Sequence, residues 1–192
     1  LIFFTADTHF DSPEIIKLDP LYSKFKSAEE INELTISNWN AIVSPSDTVW
    51  HLGDFGKATD GRAQNLLAIV QKLNGNICLV AGNHDPNNIW PVRKKLGCYT
   101  EYKELNVDIP GSERKQKIVL FHYAMRTWRY SFKGSWHLFG HSHGNMPPYC
   151  KSFDVGIMKH NFKPVSLDQV RELMASLPAP TLRDSPEIDQ EE

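Results

Sequence analysis

Residues 77–85 read ICLVAGNHD, an apolar run that ends in Gly82-Asn83-His84-Asp85. A short apolar run of this kind reads as a buried strand, and the glycine marks where the chain leaves the sheet. In open α/β sheets, ligands sit beyond the carboxyl ends of the strands. An amide, an imidazole and a carboxylate at such an end are therefore well placed for chemistry. The same pattern recurs along the chain. Leu1–Ala6 (LIFFTA) runs into Asp7-Thr8-His9, and Thr48–Leu52 (TVWHL) runs into Gly53-Asp54. Ile118–Phe121 stops at His122, and Trp136–Phe139 stops at Gly140-His141-Ser142-His143. Five such ends would converge on one rim. Glycines 53, 82 and 140 allow tight turns or a close approach of the backbone there.

The intervening segments read as helices and further strands. Ser27-x-x-Glu30 is a capping box that predicts a helix from Ala28 to about Val43, closed by Pro45. Arg62–Leu73 carries Leu66, Ile69, Val70 and Leu73 at helical spacing, with Asn74-Gly75 as its stop. A short helix is expected near Ile89–Leu96, with Arg93-Lys94-Lys95 on its polar face, and a strand near Tyr102–Ile109. The stretch from Pro110 to Lys117 has turn chemistry, so Lys115 and Lys117 read as a solvated hairpin tip. Ser166-x-x-Gln169 opens a last helix to about Leu177. Strands alternating with helices early, then mostly strands, predict a layered α/β sandwich. Neither an internal repeat nor an internal linker is visible, so residues 1–177 are expected to form one domain.

Composition narrows the class. The 192 residues are 41% hydrophobic and 23% charged with a net charge of −2, so no global field points to nucleic acid or membrane. From Pro178 onward there are five acids, one cation (Arg183) and three prolines, which reads as a disordered acidic tail over 178–192. The three cysteines (78, 98 and 150) form no Cys-x-x-Cys pair, which speaks against a disulfide framework and for a reducing compartment. The apolar opening is too short for a signal-peptide core, and no run is long enough to span a membrane.

The residue types at the strand ends suit borderline divalent metals such as Mn, Fe, Zn or Ni, and the lack of a cysteine ligand argues against a structural zinc site. Asp7 and Asp54 would neutralise only half the charge of two such ions, leaving a centre that attracts a phosphate oxyanion. The ordered series Asp7-x-His9, Gly53-Asp54, Gly82-Asn83-His84-Asp85, His122 and Gly140-His141-x-His143 closely resembles the calcineurin-like metallophosphoesterases, and in particular a compact bacterial or phage subgroup. The resemblance implies a four-layer α/β/β/α sandwich and two divalent ions per chain, Mn foremost. It implies that Asp7, His9 and His143 hold one ion, that Asn83, His122 and His141 hold the other, and that Asp54 bridges both. A water or hydroxide between the ions would attack the phosphate. His84 would protonate the leaving oxygen or steady the phosphate, with Asp85 orienting it. Members of the subgroup often read Gly-His where this chain has Asp11-Ser12, so that histidine has no counterpart here. The cytoplasm of a bacterial or phage-infected cell is the expected location.

A lone histidine is most often structural or merely exposed, and His51, His137 and His160 are read as structural or surface residues. The loop from Arg126 to Gly134 interleaves cations with aromatics between His122 and His141. It is the candidate substrate clamp, with Arg126 or Arg129 on phosphate and Trp128 or Tyr130 stacked on a base. The resulting expectation is a metal-dependent phosphoric ester hydrolase acting on a small, nucleotide-like substrate. A nuclease of the same superfamily ranks second, since the chain is short and not basic. A non-catalytic binding module ranks third, since all seven ligand positions and His84 are filled.

Overall fold

Alternate residues of the first apolar runs point to opposite faces of a sheet, and both faces are buried. The computed structural model describes residues 1–18 and 20–180. In β1 (Ile2–Thr5), β2 (Thr48–His51) and β3 (Asn76–Val80), the residues Phe4, Trp50, Cys78 and Val80 enter one core cluster. Their neighbours Phe3, Val49, Ile77 and Leu79 enter another. This two-sided burial is why these strands read as continuous apolar runs rather than as alternating ones.

The remaining elements follow in chain order. α1 (Ile15–Leu18) and α2 (Ala28–Asn40) lie between β1 and β2, and α3 (Ala63–Lys72) precedes β3. After β3 come α4 (Asp85–Asn88), β4 (Cys98–Thr100), β5 (Tyr102–Val107), β6 (Gln116–Phe121), β7 (Trp136–Phe139), β8 (Ser152–Asp154), β9 (Val165–Ser166) and α5 (Leu167–Ser176). One sheet has the order β4-β3-β2-β1-β9 and the other β5-β6-β7-β8. β1 to β4 are mutually parallel with β9 antiparallel to β1, while β6, β7 and β8 are parallel and β5 is antiparallel to β6.

The sheets pack face to face through Phe4, Trp50 and Val80 on one side and Ile118, Leu120, Leu138 and Phe153 on the other. Trp39 and Val43 near the end of α2, with Leu66, Ile69 and Val70 of α3, cover the outer face of the first sheet. Each such fully buried side chain stabilises the fold by roughly 1.5–3 kcal/mol. α5 adds Val170 and Met174 to the inter-sheet cluster beside β9. On the outer face of the second sheet, Val119 is covered by Trp128 and Cys150. The result is the α/β sandwich of two sheets flanked by helices that the sequence predicts.

Several boundaries differ from expectation for local reasons. α2 ends at Asn40, whose side chain bonds Lys72 O (2.7 Å) and Asn74 N (2.8 Å) and ties its end to that of α3. The helix expected near Ile89–Leu96 is replaced by α4 and a separate 3-10 turn at Arg93–Lys95. Pro86 opens α4, and its fixed φ favours a helix start there. Lys117 is not a hairpin tip: β6 begins at Gln116, and Lys117 pairs with Glu104 of β5 at 3.4 Å. The capping box of α5 is present, with Ser166 Oγ accepting from Gln169 N (3.3 Å) and Gln169 Oε1 accepting from Ser166 N (2.9 Å). All three cysteines are free thiols. The acidic segment from residue 181 lies outside the described residues. No described helix is long and apolar enough to cross a membrane.

Candidate metal centre

The loops after β1, β2, β3, β6 and β7 meet at one rim because they go on bonding to each other after the strands end. Asp7 N donates to Gly53 O (3.0 Å), His9 N to Asp54 O (3.0 Å), and Gly140 N to His122 O (2.9 Å). Asp7, His9, Asp54, His141 and His143 are held at φ values of 55°, 43°, 56°, 65° and 48°. This left-handed backbone costs a non-glycine residue roughly 1–2 kcal/mol. Such strain concentrated at five neighbouring side chains is what functional sites show. The loops also approach too closely for side chains. A Cβ on Gly53 would overlap the His122 ring, and one on Gly82 would overlap the Asp54 carboxylate.

Two groups of ligand atoms gather there, Asp7–His9–His143 and Asp54–His122–His141, with the atoms of each within 4.8 Å of one another. Asp54 faces both. Its Oδ2 lies 3.5 Å from His122 Nε2, 3.9 Å from His9 Nε2 and 4.0 Å from His84 Nε2. Asn83 joins the second group, with its Oδ1 3.1 Å from His122 Nε2. His9 Nε2 and His143 Nε2 face each other at 3.2 Å. All seven positions expected to carry ligands are therefore in one place.

The protonation chemistry fits a cation. His122 Nδ1 lies 2.7 Å from the Leu52 carbonyl, which can only accept, so Nδ1 carries a proton and Nε2 points its lone pair at Asn83 and Asp54. Burial alone would lower the pKa of His122, but the hydrogen bond and charge of Asp54 outweigh it and raise it. A proton is thus attracted to the spot where the ligand atoms converge, as a metal ion would be. Burial depresses His9 to about 3, with Asp54 opposing and His143 adding, so its ring is neutral and offers a lone pair. Burial would raise Asp54, but His122 and the His84 N–H (3.0 Å to Oδ1) outweigh it and hold the carboxylate ionised. Asp7 is fully buried, and burial together with Asp154 pushes its carboxyl well above the usual range. A buried acid in that state gains most from a cation beside it.

Asp85, expected to orient His84, has its carboxylate engaged by three backbone N–H groups. Its Oδ2 accepts from Asp54 N (2.8 Å) and Gly82 N (2.8 Å), and its Oδ1 from Phe55 N (2.9 Å). It clasps the loops after β2 and β3 together. Asp154 does similar work and was not foreseen. It accepts from Ser142 Oγ (2.5 Å), Gly144 N (2.8 Å) and Gly156 N (2.6 Å), so it fixes the loop that carries His141 and His143. The available signal was the Asp-x-Gly of Asp154-Val155-Gly156, though no apolar run precedes it, since residues 151–153 read Lys-Ser-Phe. Tyr123, also unforeseen, sets its ring 4.8 Å from that of His141.

The expected substrate loop divides. Trp128 is buried and donates to Ser135 O (3.2 Å), so it plugs the outer face of the second sheet and cannot stack on a base. Arg129 is held by Glu104 of β5 (3.2 Å) and Tyr130, so its guanidinium is engaged on the sheet edge. Arg126 stacks over Tyr149 at 5.1 Å beside an apolar cavity. Of the histidines read as structural or surface residues, His51 and His137 are buried and His160 is half-buried: His51 bonds Thr8 (2.9 Å), His137 lies between Val119 O (3.1 Å) and Met125 N (3.2 Å), and His160 bonds Asp154 O (3.1 Å). Asp11, the departure noted in the sequence, is buried and pairs with Arg62 at 3.3 Å.

The chain is similar to known proteins. Residues 1–145 match the calcineurin-like phosphoesterase family. The uncharacterized protein MJ1445 of Methanocaldococcus jannaschii is 32% identical over 180 residues, which is 90% of each chain. The crystal structure of a protein of unknown function from Aquifex aeolicus, AQ665, superposes with a TM-score of 0.69 at 24% identity, covering 90% of this chain and 98% of that one. The Pseudomonas putida nuclease MPE overlaps less, with a TM-score of 0.48 at 23% identity over 74% of this chain and 61% of its own. With the family match spanning the whole run of strand-end residues from Asp7 to His143, the chain belongs to the calcineurin-like phosphoesterases.

Proposed function

We propose that this chain hydrolyses phosphate esters of small, nucleotide-like molecules with the help of two divalent cations. Asp7, His9 and His143 hold one cation, Asn83, His122 and His141 hold the other, and Asp54 is shared. The position of Asp54 Oδ2 between His122 (3.5 Å) and His9 (3.9 Å) carries this reading, because a carboxylate so placed can serve both groups. Such ions supply Lewis acidity to a phosphate oxygen and lower the pKa of a water toward neutrality. The imidazole-rich ligand set favours Mn over Mg, which prefers oxygen ligands and keeps its waters.

The chain's own groups do the rest. Asp85 and Asp154 fix the loops, so the ligand side chains need little reorganisation when substrate arrives. His84, exposed at the cleft and anchored by its backbone to Asp54, supplies a proton to the leaving oxygen. The cleft of ≈ 570 Å³ lined by His9, His84, His141 and His143 suits a small ester. Residues 1–177 act as one catalytic domain, and the three free thiols suit the reducing cytoplasm.

A substrate screen tests the assignment. The Mn-loaded protein should hydrolyse p-nitrophenyl phosphate, bis-p-nitrophenyl phosphate or a nucleotide faster than it cleaves single-stranded DNA. Turnover of DNA alone would move the assignment to a nuclease. Turnover of none would leave a binding module.

A further inference from the structure

The cleft that His9, His84, His141 and His143 line is also lined by Ser142, Asn145 and Lys159. Lys159 belongs to the 3-10 turn Ile157–His160 that follows β8. It reaches the cleft by lying across Gly144, where a Cβ would overlap its Cγ, Cδ and Cε atoms. Gly144 adopts a φ of 73°, a second reason for a glycine there. Lys159 is the one Lys or Arg among the described residues that lines this cleft, and its ammonium makes no ion pair among them.

On its other side, Lys159 borders a second cavity of ≈ 510 Å³, which shares Asn145 and Lys159 with the first. Met146, Pro147, Pro148, Phe153, Leu173 and Leu177 give it apolar walls, and Asn145 and Ser176 add neutral polar groups. Asp154 also borders it, but that carboxylate is engaged by Ser142, Gly144 and Gly156. A cation thus stands between a phosphate-attracting centre and an apolar groove with a few polar edges. This is the form of a small-molecule site in which one end fixes charge and the other selects shape.

We infer that the two cavities form one substrate channel: Lys159 binds a phosphate oxygen of the ester, and the groove beyond it takes the ester's organic group, a nucleoside. The inference rests on the proposed phosphoesterase activity and adds the groove that takes the organic group and the residue that binds the phosphate beside it. A nucleoside fits because the base needs apolar faces and a few hydrogen-bonding edges. The groove places these on the far side of Lys159 from the metal ligands, so the phosphate stays at the metals while the base lies beyond Lys159.

Two measurements test this on the full chain loaded with Mn²⁺. The first is calorimetric binding of inorganic phosphate to wild type, Lys159→Met and Lys159→Arg. Loss of one charge-assisted contact should weaken binding roughly tenfold in Lys159→Met, with Lys159→Arg restoring most of it. The second compares KM for a nucleoside 5′-monophosphate and for methyl phosphate in wild type and Leu173→Glu. The charge placed on the groove wall should raise KM for the nucleotide at least fivefold more than KM for methyl phosphate. Equal phosphate affinity in wild type and Lys159→Met, or equal KM changes for the two esters in Leu173→Glu, would overturn the channel while leaving the phosphoesterase assignment intact. A wild type that binds no phosphate and hydrolyses neither ester would overturn that assignment and the channel with it.

Discussion

Truncating Asp85 separates a clasp from a catalytic partner. In the fold its carboxylate is fully buried and takes three backbone N–H groups, those of Asp54 (2.8 Å), Phe55 (2.9 Å) and Gly82 (2.8 Å). Asp85→Ala would strand all three. An unsatisfied buried amide costs about 1–3 kcal/mol, so the loss is roughly 3–9 kcal/mol, with water in the vacated space favouring the low end. That is a large part of the roughly 5–15 kcal/mol by which a domain is stable. Asp85→Asn is milder. Its amide oxygen can keep the two bonds now made by Oδ2, while its NH₂ faces the Phe55 N–H, so about 1–3 kcal/mol is lost. Urea unfolding of the chelated protein, followed by circular dichroism, measures both. The expected order is wild type, then Asn, then Ala, and the Asn variant remains informative if the Ala variant does not fold. Because the Asp54 amide is one of the three, the Asn variant should also bind metal more weakly, although Asp85 is not a ligand. Unchanged urea midpoints with reduced turnover would refute the clasp and return Asp85 to a role beside His84.

Other expectations follow from the same geometry. Asp54→Asn should deplete both ions in elemental analysis, since its charge serves both ligand groups; two ions per chain at normal affinity would rule out the shared role. His84→Ala should keep its metal content and lose about 10²–10⁴-fold in turnover, more for alkyl than for nitrophenyl esters, whose leaving oxygen needs little protonation. Equal slowing of both esters would make His84 a phosphate-positioning donor. His137 should make the fold acid-sensitive, because burial lowers its pKa to about 4 from 6.5. Between those values the unfolded chain takes up a proton that the folded chain refuses. Stability from this group is therefore complete above about pH 7 and falls as pH drops to 4, by roughly 3 kcal/mol. His137→Asn keeps a donor toward Val119 without the titration, so its stability deficit relative to wild type should shrink between pH 7 and pH 4.5. A constant deficit would contradict this.

The candidate ligand set is legible in the sequence because parallel strands bury both faces. A strand then reads as an unbroken apolar run, and a charged residue at its end has no packing reason to be there. Leu1–Ala6, Thr48–Leu52 and Ile77–Ala81 all end this way, and the structure brings their terminal residues together. What was missed depends on contacts between distant segments. β4, β8 and β9 are short strands of three, three and two residues, defined by their neighbours rather than by their own pattern. The alternation of cations and aromatics at 126–130 suggested a clamp, but Trp128 fills a hole over Val119 and Arg129 answers a glutamate on a strand that sequence alone does not place beside it. Lys159 carried no signal, since its position depends on the missing side chain at Gly144.

Hydrolysis is proposed to depend on two cations held by residues from five strand ends. The most direct measurement titrates Mn²⁺ into chelated protein while following bound metal and hydrolysis of bis-p-nitrophenyl phosphate together. The metal-free protein should show no turnover, and activity should rise with occupancy and level off at two ions per chain. Full turnover after exhaustive chelation, or a plateau of activity at a single bound ion, would contradict it.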